Sequence, residues 1–153
     1  MKKLFAIFTA ALLLAACGSE NKEEKGKEAI TPGITDFKGT MVVVYKGEDV
    51  STPDVTISVD YHKASSTADI LFKQVKFVPQ MPVKLDITVP GVTVKQNGST
   101  ALLSADGIEP TAGGIPYEQY LVSGLSGNIT NGFLELQLSF GNFPTRFLGA
   151  EIE

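Results

Sequence analysis

Ser58, Asp60 and His62 stand two residues apart in a stretch of alternating polarity, so a strand there would present a hydroxyl, a carboxylate and an imidazole on one face. These are the side chains of a hydrolase triad. A strand projects such neighbours in parallel, however, whereas a nucleophile and its base must converge to hydrogen-bond distance. The set is therefore expected to be a solvated strand face. Asp60 with His62 offers two metal ligands, and Asp106-Gly107-Ile108-Glu109 offers oxygens of the kind calcium takes. Neither stretch supplies the remaining ligands at a recognisable spacing, so a solvated face and a turn are the expectation, with no metal and no cofactor. Arg146, the single arginine, has the fork to clamp a carboxylate at a barrel mouth, but a lone arginine is expected to be surface charge. One Cys and one His leave no disulfide framework and no Cys/His zinc site. No convergent acid, base or nucleophile set is visible, and the chain is expected not to be an enzyme.

The single cysteine, Cys17, has a different context. Met1-Lys2-Lys3 is a positive start, and residues 4–16 form an unbroken apolar and small run of export-signal length, too short to span a bilayer comfortably. Leu14-Ala15-Ala16-Cys17 resembles the lipobox of bacterial lipoproteins, which implies cleavage after residue 16 and acylation of Cys17. Several acyl chains would hold the mature chain on a membrane, each buried methylene contributing about 0.8 kcal/mol. Gly18 follows Cys17 where many inner-membrane lipoproteins carry an aspartate, so the resemblance implies the outer membrane of the cell envelope. Lys22-Glu23-Glu24 resembles the charged signals that send some Bacteroidetes-type lipoproteins to the cell surface, although a solvated linker has the same composition.

Removal of residues 1–16 leaves 137 of the 153 residues, enough for one domain with one core. The formal charge of −4 includes Lys2 and Lys3; without them 11 basic and 17 acidic side chains remain, a balance of −6. Nucleic acid, which requires clustered cations, is excluded as a partner. Residues 18–27 are small, polar and charged, and residues 17–36 are assigned to a flexible tether carrying the lipidated cysteine.

Residues 37–153 read as one all-β domain. No window holds a 3.6-residue apolar period over three turns, and short alternating runs are separated by turn residues. Met41, Val43 and Tyr45 share one strand face; Val55, Ile57, Val59 and Tyr61 share another. Val83, Leu85, Ile87 and Val89 alternate with polar residues, as do Leu134, Leu136, Leu138 and Phe140. Asn97-Gly98 and Asn131-Gly132 predict type I′ hairpins joining residues 92–96 to 99–104 and 121–130 to 133–140. Residues 67–77 and 146–152 complete an antiparallel set of eight strands, or nine, at the spacing of a barrel, with a β-sandwich as the alternative. Residues 106–119 form the longest stretch without strand character, in a position to cover a barrel mouth.

Phe37-Lys38-Gly39-Thr40, Leu85-Asp86-Ile87-Thr88-Val89 and the run Val122-Ser123-Gly124-Leu125-Ser126-Gly127-Asn128-Ile129-Thr130-Asn131-Gly132 lead into or end strands. With the lipobox and charged tether, this arrangement resembles the calycin-like β-barrel lipoproteins of Bacteroidetes. The resemblance implies an eight-stranded lipocalin-like barrel and transfers no catalytic residue. The chain has no Trp, hence no Gly-x-Trp motif at the first strand.

Met41, Val43, Tyr45, Val59, Ile87, Leu136 and Phe140 are the inward set. Tyr45, Val59, Ile87, Leu136 and Phe140 are the candidate lining of a pocket for a small hydrophobic ligand, and the same residues would equally pack a dry barrel. Phe143, Phe147 and Leu148, with Ile70-Leu71-Phe72, are the candidate partner interface if exposed. The expected function is a lipid-anchored, non-catalytic envelope protein binding a small hydrophobic molecule. The alternative is a solid barrel that meets a protein or a surface glycan.

Overall fold

The computed structural model describes residues 28–76 and 80–153. The leader, Cys17 and the tether up to Lys27 lie outside the described residues, as does Phe77 at the end of the expected third strand.

Among the described residues ten strands form: β1 (Gly33–Tyr45), β2 (Glu48–His62), β3 (Thr67–Val75), β4 (Leu85–Asn97), β5 (Thr100–Ala105), β6 (Thr111–Ala112), β7 (Ile115–Pro116), β8 (Val122–Thr130), β9 (Phe133–Phe140) and β10 (Phe143–Ile152). A single 3₁₀ turn, Glu118–Tyr120, precedes β8. The ladder runs β3-β2-β1-β10-β9-β8-β5-β4, and β3 also pairs with β4, so eight antiparallel strands close into an up-and-down barrel. This closure rules out the sandwich. It also abolishes the free edges that two open sheets would expose.

Eight strands rather than nine result because residues 83–89 and 92–96 are one strand. β4 passes through Pro90-Gly91 as a bulge instead of turning there. Val83, expected on the inner face with Leu85, lies before the strand and is exposed. In the same way β2 begins at Glu48, not residue 55, because a Lys46-Gly47 turn with positive φ at both residues starts it and a bulge at Pro53-Asp54 carries it on. β1 begins at Gly33, four residues before the expected start of the domain at residue 37. Asp36 and Phe37 already pair with β2, and Ile30 is buried against the core.

Four such bulges bend the sheet round. At each, two residues face one: Pro53-Asp54 against Thr40, Lys73-Gln74 against Asp86, Pro90-Gly91 against Asp69, and Gly124-Leu125 against Leu138. One residue of every pair (Asp54, Gln74, Gly91, Gly124) has positive φ, the local twist that turns a barrel corner. A bulge strands a backbone N–H outside the ladder, and in three cases an aspartate accepts it. The Gln74 N–H donates to Asp86 at 2.8 Å, the Gly91 N–H to Asp69 at 2.9 Å and the Gly124 N–H to Asp106 at 2.9 Å. The Gln74 backbone N–H, then the Gln74 side-chain amide, hold the Asp86 carboxyl below the ordinary carboxylate range, with Lys73 adding to the effect and burial opposing it.

Of the two Asn-Gly hairpins, Asn131-Gly132 has positive φ at both residues, as a type I′ turn requires. The other is shifted by one residue: Asn97 is the last residue of β4, paired with Thr100, and the turn is Gly98-Ser99 with positive φ at Gly98 alone, the type II′ pattern. Residues 106–119 are not strandless. β5 is only six residues against thirteen in β4, so the other half of β4 lacks a partner on that side. β6 supplies it through Ile87–Ala112 and Thr88–Thr111, with β7 folded back upon β6.

Inward positions are apolar and outward positions mostly polar, the reverse of a barrel whose wall faces lipid. At one end Ile30 plugs the interior, its carbonyl accepting the Gln96 side-chain amide at 2.7 Å. At the other, Tyr117, Tyr120 and Phe143 pack on the core, with Tyr117 and Tyr120 stacked at 6.1 Å and Phe143 within 6.3 Å of both Tyr45 and Tyr120.

Candidate functional site

A site inside the barrel would need a void. Val59, Ile87, Leu136 and Phe140 have 0% exposure, as do Phe37, Ile57, Ile70, Phe72 and Leu134 beside them, so no water-sized space touches these side chains. Phe72 meets Phe140 edge to face at 5.1 Å and 82°, joining β3 to β9 across the interior. Tyr45, the fifth residue of the expected pocket, sits half-buried at the end of the barrel against Phe143, with the Lys46 ammonium 5.3 Å from its ring centre. The wall closes tightly as well. Gly39 of β1 lies directly opposite Gly149 of β10, and a Cβ on Gly39 would stand 2.0 Å from the Leu148 carbonyl oxygen.

The outer wall of β1, β2 and β3 carries the side chains with chemistry. Ser58 donates its hydroxyl to the Asp36 carboxylate of β1, and the Lys73 ammonium of β3 donates to the same oxygen at 3.4 Å. His62 lies four residues from Ser58, about 13 Å along a strand. It pairs instead with Asp69 at 3.4 Å. Asp60 lies between, directly opposite Asp69 on one side and Ile34 on the other. Nucleophile and imidazole thus have separate carboxylate partners, and the triad geometry is absent here. Asp36, Ser58, Asp60, Asp69 and Lys73, but not His62, line an open groove of about 480 Å³ with Leu71 and Thr88. Among the described residues no three His, Cys, Asp or Glu side chains converge as a metal site. Asp106, offered as a calcium ligand, is occupied by the Gly124 N–H, and Glu109 points to solvent.

Arg146 lies on the side wall rather than at a mouth. One guanidinium N–H donates to Asp49 of β2 at 3.0 Å, and both partners are more than half exposed, so the pair contributes little to stability. Arg146 also borders a second groove of about 400 Å³, lined by Thr40, Val42, Glu135, Gln137 and Leu148 over Phe147. The register shows what surrounds it. Leu148 stands opposite Glu135 and Thr40; Arg146 stands opposite Gln137 and Val42; Ala150 opposite Phe133 and Lys38; Ile152 opposite Asp36. Diagonal neighbours in a sheet lie about 7–8 Å apart. Ile34, Ile152, Ala150, Phe133, Leu148 and Val42 therefore form one apolar stripe across β9, β10 and β1. Its large members are exposed, Ile34 at 69%, Leu148 at 60% and Phe133 at 55%.

Of the expected interface, Phe147, Ile70 and Phe72 are core, and Phe143 caps the end of the barrel. Leu148 is on the stripe and Leu71 borders the polar groove. The stripe escaped sequence reasoning because its members are divided among three strands and brought together only by register. A scan of protein-family models matches no part of the chain, and no curated protein or solved structure is significantly similar to it.

Proposed function

We propose that the chain is a non-catalytic, lipid-anchored protein of the cell envelope whose solid barrel meets a macromolecular partner through its outer wall. The observation that carries this reading is that, among the described residues, the central inward side chains touch no water-sized space, in a barrel whose outer wall bears an apolar stripe. Binding a small hydrophobic molecule inside would require displacing packed core residues, each at a cost of several kcal/mol. An exposed contiguous apolar patch on an otherwise polar wall is the feature expected of a protein contact. The anchor rests on the lipobox at Cys17 and on where the chain joins the barrel. Glu28 pairs with Lys63, and Ala29 donates to Gln96, at the end of the barrel that carries the 63–66 and 98–99 turns. Eleven residues from Cys17 to Glu28 reach at most about 40 Å, which would keep that end toward the membrane, its outer wall free to the side.

Two measurements test this. Native mass spectra of the membrane-extracted chain, taken before and after organic extraction, should show no removable small molecule; a reproducible extractable mass would overturn the solid-barrel reading. Metabolic labelling with an alkyne fatty acid should mark the chain, and Cys17→Ala should abolish the label.

A further inference from the structure

The stripe on β9, β10 and β1 carries a charge pattern that narrows the choice of partner. Arg146, the only arginine of the chain, occupies the outward position next to Leu148 on β10, and Glu135 stands directly opposite Leu148 on β9. Arg146 spends one donor of its guanidinium on Asp49. Glu135 makes no ion pair or side-chain hydrogen bond among the described residues. One wall thus presents a donor and an acceptor of opposite charge, each next to a single exposed leucine, one along its strand and one across the ladder. That arrangement is complementary to itself.

From this geometry we infer that the β9–β10–β1 wall is the contact between two copies of this chain, related by a two-fold axis. The inference rests on the outer wall being the binding surface. A two-fold interface uses the same patch twice, so it must contain both halves of every polar pair it makes. An axis running across the strands, between the levels of Arg146 and Leu148, lays Leu148 of each copy over the Arg146–Val42 level of the other. It sets Glu135 of each copy above Gln137 of the other, one strand spacing, about 4.8 Å, to the side of that copy's Arg146. The arginine reaches the partner carboxylate while keeping its bond to Asp49, because the fork has five N–H donors. Leucine against the aliphatic stem of arginine, edged by the charges, gives the apolar centre and polar rim that protein contacts show, and arginine is enriched there. An unrelated partner would not require donor and acceptor to sit on the same wall at this spacing.

The test uses the full-length chain extracted in nonionic detergent, with the dimer fraction read by native mass spectrometry across a dilution series and folding checked by urea midpoint. Wild type is expected to dimerise. Glu135→Arg and Arg146→Glu should each weaken the dimer at least about tenfold, because each places like charges in apposition. The double variant Glu135→Arg/Arg146→Glu should restore it. A monomeric wild type, or a double variant no better than the singles, overturns the two-fold contact. Leu148→Cys, treated in the membrane with a bismaleimide long enough to join positions about 12 Å apart on facing sheets, should give a crosslink of twice the chain mass. A crosslink to a different protein overturns the second copy as partner and leaves the outer-wall reading intact. An extractable small molecule has the opposite effect, removing the solid barrel while the charge-swap result stands.

Discussion

Replacing Phe72 by alanine tests whether the barrel is filled by its own side chains. Phe72 has no exposed surface, and its ring stands edge to face with Phe140 at 5.1 Å. Truncating a buried Phe removes its transfer free energy and leaves a void, together about 3–5 kcal/mol. The favourable ring geometry contributes about 0.5–1.5 kcal/mol beyond area, so the expected loss lies near the top of that range, about 4–5 kcal/mol. Domains of this size have only about 5–15 kcal/mol in total, so Phe72→Leu, expected to lose about 1–2 kcal/mol, provides a second variant that keeps the fold. The chain has no Trp, so unfolding in urea is followed by far-ultraviolet circular dichroism and tyrosine emission. A dry apolar void the size of a phenyl ring accepts benzene, so benzene should raise the midpoint of Phe72→Ala and leave wild type unmoved. A loss below about 1 kcal/mol for Phe72→Ala, or stabilisation of wild type by the same ligand, would mean that the interior already holds space. That result would refute the packing argument and restore an internal ligand site.

Gly39→Ala should be among the most damaging single substitutions, because its Cβ meets the Leu148 carbonyl and the Gly149 Cα and forces β1 from β10; an unchanged urea midpoint would contradict the close approach. Asp69→Ala and Asp106→Ala remove the acceptors of the Gly91 and Gly124 bulge N–H groups, and each should lose about 1 kcal/mol and speed hydrogen exchange at that one amide, measured by NMR. The Asp86 carboxyl has its folded-state pKa lowered, so the stability it contributes is present above its unfolded pKa of about 3.9 and lost as pH falls through the lower folded value. Wild type and Asp86→Asn should therefore differ by a constant amount near neutral pH and converge in acid below about pH 4; a gap that widens in acid would reverse the sign.

Strand faces were legible wherever a period of two ran unbroken. Ile57 and Val59, or Leu134, Leu136 and Phe140, point inward as their spacing predicts. The expectation failed where a bulge broke the period. Val83 to Gln96 read as two strands because Pro90-Gly91 looks like a turn, and only the facing strand, with Asp69 ready to accept the Gly91 N–H, makes it a bulge in one long strand. The start of β2 was missed for the same reason at Pro53-Asp54. At the candidate site, Ser58 and His62 lie four residues apart on one strand. Their actual partners, Asp36 and Asp69, lie 22 and 7 residues away along the chain and have no local signature.

Alternation, turn chemistry and composition by themselves determine that this chain makes antiparallel strands with apolar faces turned inward, since side-chain direction along a strand is a local property of the backbone. Which residue stands beside which is not local. It depends on register, and register on bulges whose unpaired N–H groups are met from neighbouring strands. Tertiary structure alone therefore decided that the sheet closes through β3 and β4 and that the inward side chains fill it. It alone set Leu148 beside both Glu135 and Arg146 on one wall, an adjacency that nothing local in the sequence specifies.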